Sequence, residues 1–159
     1  MDQKKIVIVD YELGNLFSVN QALKNIGLNI VISSDLEKVR DADAIILPGV
    51  GAFKDAMSNL NRMGLTNELR SFVETGKPFL GICLGLQLLF SESDEFGSSA
   101  GLDILKGKVK KFPSELEGQL FRVPQIGWNS IYPAAARSWR NTPLENIKEG
   151  QDFYFVHSY

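Results

Sequence analysis

Pro78-Phe-Leu-Gly-Ile-Cys-Leu-Gly85 is an apolar run that turns on a cysteine, with a glycine two residues to either side. Pro78 to Ile82 reads as a buried strand, and Leu84 to Ser91 reads as the helix that follows. A side chain presented on so sharp a strand-to-helix turn needs small neighbours, because Cβ atoms at positions −2 and +2 would clash in the bend. Gly81 and Gly85 meet that need, so the stretch predicts a nucleophile elbow with sulfur in place of a serine oxygen. A helix start beyond the turn favours an anionic sulfur, and the N–H of Leu84 is aimed at an oxyanion formed on Cys83. A lone cysteine is more often a small buried apolar residue. The paired glycines and the strand–helix context favour the nucleophile.

Upstream of this turn, short apolar runs alternate with helix-period segments. Ile6-Val-Ile-Val9, Asn29 to Ser33 and Ala44-Ile-Ile-Leu47 read as strands, the last closed by Pro48-Gly49. Between them, Asn15 to Ile26 carries Leu16, Val19, Leu23 and Ile26 on one helical face, with Gly27 as the C-terminal stop. Leu36–Ala42, Ala52–Met63 and Leu65–Glu74 read as further helices. This alternation predicts an α/β fold, a mostly parallel central sheet flanked by helices on both faces and joined by right-handed crossovers. Ligands gather at the carboxyl ends of such strands. Asp10, the Pro48–Ala52 loop and Cys83 then share one rim.

From about Gly101 the texture changes. Lys106, Lys108 and Lys110 alternate with small or apolar residues, as on the solvated face of an edge strand guarded by charge. Phe121–Pro124, Trp128–Tyr132 and Phe153–Val156 read as mixed or antiparallel strands added to the sheet. The expectation is one domain over residues 1–159. Seventeen Lys and Arg against nineteen Asp and Glu leave no basic excess, which argues against a nucleic-acid partner. No stretch approaches the ~18 apolar residues of a membrane span, and the N-terminal run is too short for a signal peptide. One cysteine excludes an internal disulfide and a multi-cysteine metal site and fits a reducing compartment, so the expected location is the cytoplasm.

Leu47-Pro-Gly-Val-Gly-Ala-Phe53 joins a strand to a helix through two glycines that permit positive φ. It lacks the Gly-Lys-Ser/Thr ending of a phosphate loop. Facing Cys83, it is a candidate second donor to an oxyanion. His157 is the only histidine, so a Cys–His dyad built wholly from these residues must use it. It reads also as a hydrogen-bonded structural histidine near a pocket.

Gly81-Ile-Cys-Leu-Gly-Leu-Gln-Leu-Leu-Phe90 resembles the nucleophile segment of triad-type, class I glutamine amidotransferases. More narrowly it resembles that of the glutaminase subunits of imidazole glycerol phosphate synthase, of histidine biosynthesis. Asp10-Tyr-Glu-Leu-Gly-Asn-Leu16 is similar to their N-terminal turn and Leu47–Phe53 to their oxyanion loop. Val123–Asn129 is similar to their Gly-Trp-Asn segment, and Tyr154–Tyr159 to their substrate-pocket strand. The resemblance implies a class I glutamine amidotransferase-like fold and hydrolysis of L-glutamine to glutamate and ammonia. It also implies channelling of that ammonia to a cyclase subunit in a heterodimer, with no cofactor, metal or membrane involved. By position, it makes Cys83 the nucleophile and gives Gly51 and Leu84 the oxyanion N–H groups. Gln87, His157, Ser158 and Tyr159 are placed around glutamine, and Asn15, Trp128 and Asn129 toward the cyclase.

Two kinds of departure follow. The family's base lies in a Phe-His-Pro-Glu type motif after the segment matching Tyr154–Tyr159, and the sequence stops first. The resemblance therefore implies a C-terminally incomplete chain, inactive alone, with His157 a pocket histidine. Glu12 stands where a small residue is usual, and Gln125 where a histidine is common. The alternatives are a silent module that occupies the cyclase, a paralogue that feeds another ammonia acceptor, and a different cysteine hydrolase using His157 as base.

Overall fold

The structure, a computed structural model, describes residues 4–116, 118–120, 122–134 and 138–159. It divides into two compact units, Met1–Lys110 and Lys111–Tyr159. The first runs β1 (Ile6–Val9), α1 (Leu16–Asn25), β2 (Ile30–Ser33), α2 (Leu36–Arg40), β3 (Ala44–Gly49), α3 (Phe53–Arg62), α4 (Leu65–Glu74) and β4 (Phe79–Cys83). The four strands form one parallel sheet in the order β2-β1-β3-β4. Val7, Ile8, Val9, Ile45, Ile46 and Leu47 are buried in it, as continuous β-branched and aliphatic runs in a parallel sheet must be. Strand order reverses between β1 and β3, so the topological switch point of the sheet falls beside Asp10 and Gly49.

Helices α3 and α4 each bury a stripe at three- and four-residue spacing: Phe53, Ala56, Met57 and Leu60, then Leu65, Leu69 and Phe72. Helix α1 buries no residue fully, and Ile26 on its expected apolar face is 71% exposed. Leu80 and Ile82, which share a face of β4, are exposed as well. The sheet is flanked by helices as expected, and the side packed by α3 and α4 is the drier one.

The segment after Cys83 differs from its reading as a helix to Ser91. Helix α5 (Leu84–Gln87) lasts one turn, and the chain re-extends as β5 (Phe90–Ser93). The cause is non-local. Leu102 N–H donates to Leu88 C=O (2.8 Å), and Ile104 and Leu105 N–H both donate to Leu89 C=O (2.9 and 2.8 Å). A Cβ at Gly101 would overlap the carbonyl oxygen of Phe90. Residues 101–105 thus fold back onto 88–90 and take their carbonyls out of a helix. Strand β5 then pairs with β6 (Ser99–Ala100) and, in parallel, with β7 (Leu105–Val109), which is an edge strand as its lysines indicated. Lys108 reaches Asp94 (2.6 Å) and Glu92 (3.4 Å).

In the second unit, β8 (Glu115–Leu116) and β9 (Gln119–Leu120) make a small hairpin. Strands β10 (Gln125–Ser130) and β11 (Asp152–His157) pair antiparallel in full register from Gln125↔His157 to Ser130↔Asp152. Among the described residues none of these strands joins the four-stranded sheet, so the expected extension of that sheet is replaced by separate ribbons. Of the Phe121–Pro124 reading, Phe121 lies outside the described residues.

Candidate active site

Cys83 occupies the strand-to-helix turn with φ 55° and ψ −120°, and it is exposed. Positive φ in a non-glycine residue costs about 1–3 kcal/mol and persists only where the surroundings over-determine it. Here the surroundings are glycines. A Cβ on Gly81 would stand 2.7–2.8 Å from the Leu86 Cα and nitrogen, and one on Gly85 would overlap the Leu47 carbonyl oxygen. Both flanking glycines are therefore sterically required, for the reason their spacing suggested. Because α5 is a single turn, its dipole gives the sulfur less help than the longer expected helix would have given. Leu84, the first residue of that turn, is buried.

The Pro48–Ala52 loop leaves β3 beside this turn, since Gly49 pairs in register with Cys83. Pro48 fits within a strand because β1 pairs with β3 only as far as Ile46, so no ladder donor is demanded of it. Gly51 adopts φ 102°, the conformation for which glycine is needed. Two residues that the sequence did not single out hold the loop. The Tyr11 hydroxyl donates to the Pro48 carbonyl (2.8 Å), and the Phe53 N–H at the start of α3 donates to the Glu95 carboxylate (2.7 Å). No local signal marks either contact, as their partners lie 37 and 42 residues away.

Gln87 is half-buried one helical turn beyond Cys83, a spacing that puts the two on one side of α5. Asn15 caps α1, its side chain accepting from the Ser18 N–H (3.1 Å). Glu12 has φ 69°, which explains why a small residue is at ease there, and it forms an ion pair with Arg62 of α3. Among the described residues no cluster of three or more His, Cys, Asp or Glu is placed to hold a metal. None of their helices is long and apolar enough to cross a membrane.

In the second unit, His157 ends β11. Its Nδ1 lies 2.8 Å from the Tyr159 carbonyl oxygen, which can only accept, so Nδ1 donates in this contact. Its ring packs edge-on against Phe112 (4.9 Å). The Ser158 carbonyl accepts from the Phe112 N–H (2.9 Å). His157, Gln125, Asn129, Arg122 and Phe155 line a cleft of about 460 Å³, the size of a small-ligand pocket. Trp128 and Asn129 alternate to opposite faces of β10. Trp128 is 71% exposed and stacks edge-on with Tyr154 (5.6 Å), while Asn129 turns toward the cleft. Cys83 and His157 belong to different units.

Residues 5–119 match the CobB/CobQ-like glutamine amidotransferase domain family. The imidazole glycerol phosphate synthase subunit HisH of Geobacillus kaustophilus is 49% identical over 156 residues, which cover 97% of this chain and 71% of that protein. The chain belongs to the HisH family of glutamine amidotransferases. HisH of Moorella thermoacetica is 47% identical (98% of this chain, 70% of that one), and HisH of Aquifex aeolicus is also 47% identical (98% and 71%). A crystal structure of a glutamine amidotransferase superposes with a TM-score of 0.65 at 20% identity, covering 96% of this chain and 70% of that one. That likeness concerns the fold and bears out the α/β expectation.

Proposed function

We propose that the chain is a glutaminase subunit that releases ammonia from L-glutamine in the cytoplasm for a cyclase partner. One observation carries the reading: an exposed cysteine held at positive φ on a strand-to-helix turn, in register with a glycine loop. The Cys83 sulfur adds to the side-chain amide carbon of glutamine, and the carbonyl oxygen takes up the negative charge. The N–H groups of Leu84 and Gly51 face that oxygen. Collapse breaks the C–N bond, the departing nitrogen takes the proton given up by the Cys83 thiol and leaves as ammonia, and a thioester remains, which water cleaves to glutamate and the free thiol. Gln87 and the His157–Tyr159 segment hold the amino-acid end of the substrate. The 159 residues contain no Phe-His-Pro-Glu motif, and in this reading they supply the nucleophile and oxyanion groups of the reaction. Residues 1–159 form one amidotransferase domain in this reading, supported by relatives that align across both units.

A cyclase partner is supported by the relatives' name, imidazole glycerol phosphate synthase subunit, and by the exposed Trp128–Tyr154 face. Asn15, Trp128 and Asn129 are the proposed contacts. The test is glutamine hydrolysis, with a cyclase subunit present, by this chain joined to the Phe-His-Pro-Glu segment of a relative. Turnover that vanishes with Cys83→Ser supports the reading, and turnover that survives the change ends it.

A further inference from the structure

Tyr11 lies just past the end of β1 with its whole side chain buried (0% exposed). Ladder geometry explains what its hydroxyl does there. The Ala44 N–H reaches Lys5 on the β1 side of β3, and the Ile45 N–H reaches Pro78 on the β4 side. Successive residues of a strand point their backbone groups to alternate neighbours. Pro48, an even step from Ala44, therefore turns its carbonyl toward β1. The β1–β3 register stops at Ile8↔Ile46, so no β1 amide is paired there. The Tyr11 hydroxyl takes the place of the missing ladder donor at 2.8 Å. Its own backbone carbonyl is held by Asn59 of α3 (3.1 Å).

The contact sits at the start of the loop beside Cys83. Gly49, the next residue, runs so close to the phenol that a Cβ there would overlap the hydroxyl, and that Cβ would stand 2.9 Å from the Gly85 nitrogen. Glu95 pins the far end through the Phe53 N–H. Only Gly49 to Ala52 lies between the two anchors, in a loop whose first residue is in register with Cys83. Burial pushes the phenol above the ordinary tyrosine range, and the charge of Cys83 adds to the effect. Tyr11 therefore stays protonated and remains a donor throughout the working pH range.

We propose that Tyr11 is a positioning residue for the oxyanion, its hydroxyl fixing the Pro48–Ala52 loop so that the loop N–H groups face the carbonyl attacked by Cys83. The inference rests on the glutaminase reading. It predicts that removing the hydroxyl weakens stabilisation of charge on the attacked oxygen while leaving the sulfur itself reactive.

The single cysteine makes a direct test possible with the whole chain. Iodoacetamide alkylates the sulfur by displacing iodide and builds no oxyanion. The chloroketone analogue of glutamine, L-2-amino-5-chloro-4-oxopentanoate, is captured by addition of sulfur to its ketone, which charges the oxygen before chloride leaves. In Tyr11→Phe the chloroketone rate should fall about tenfold or more, since loss of an oxyanion donor itself costs 10²–10³. The iodoacetamide rate should stay within about twofold. Both reagents read the same sulfur in the same sample, so partial unfolding moves both rates together and their ratio remains a measure of the oxyanion seat. An unchanged ratio overturns the proposal. Failure of the underlying reading looks different: the unaltered chain would then react with this chloroketone no faster than with chloroacetone, which lacks the amino-acid end.

Discussion

Gly85 lies so close to the backbone of Leu47 that a side chain on it would overlap the Leu47 carbonyl oxygen. The turn that presents Cys83 is thus pressed onto the end of β3, and the elbow and the loop leaving β3 form one packed piece. Gly85→Ala forces a methyl group into backbone that cannot step aside. The expected cost is at the upper end of overpacking, about 3 kcal/mol, or a drop in Tm of roughly 6–12 °C. Gly27→Ala is the control. Gly27 has the positive φ that Gly85 lacks, yet a Cβ added to it would meet nothing within 4 Å, so only roughly 1–2 kcal/mol of backbone strain is expected. Thermal denaturation of both variants checks the order.

Glu95 caps α3 from a distance, because Ala52 at the N-cap position has no side chain able to do so. Glu95→Ala leaves the Phe53 N–H without its charged acceptor and should cost about 1–2 kcal/mol. Glu95→Gln keeps an accepting oxygen and should cost less than half as much. Equal losses in urea denaturation would show that the cap is not what Glu95 contributes.

The Asp43 carboxyl is held below its ordinary value of 3.8, chiefly by the hydrogen bond it accepts from the Lys5 backbone N–H (2.8 Å). Asp103 is lowered too, first by its bond from Lys106. A carboxyl with a depressed folded-state pKa stabilises the fold above its unfolded pKa, and that contribution fades as pH falls through the folded value. Asp43→Asn should therefore lower Tm near neutral pH, and the two melting curves should converge as pH falls from the ordinary aspartate value through the depressed one. A gap that stays constant with pH would show that the charge of Asp43 is not what stabilises.

Trp128 and Tyr154 stack on the open face of the β10–β11 ribbon, with the exposed cross-strand pair Ile126 and Val156 beside them. An aromatic pair in such a patch has the character of an interface anchor. Trp128→Ala should weaken association with the cyclase by about 10- to 100-fold, the equivalent of about 1.4–2.8 kcal/mol. Asn129→Ala removes the smaller proposed contact, a polar side chain on the other face of the strand, and should weaken association by no more than about threefold. Isothermal titration with the cyclase subunit separates the two.

Several elements were legible because their physics is local. Leu65–Glu74 forms a helix with the bounds its apolar spacing indicated, and Ile6–Val9 forms the strand that its β-branched run required. The turn at Cys83 was legible for the same reason, since its demand for small neighbours is written within two residues of the sulfur. Leu88, Leu89 and Phe90 were not. An apolar triplet suits a helix or a strand alike, and what decided it was the return of residues 101–105 to claim their carbonyls.

The amino-acid order by itself determined where the chain alternates between strand and helix and which side chain is presented on the turn after β4. Those choices depend on side-chain periodicity and on glycines within a few residues. Folding alone decided that Tyr11 would hold Pro48, that Glu95 would cap α3, and that the later strands would pair with one another. Each of these is a hydrogen bond between groups that become neighbours only when distant segments meet, and no local pattern encodes that.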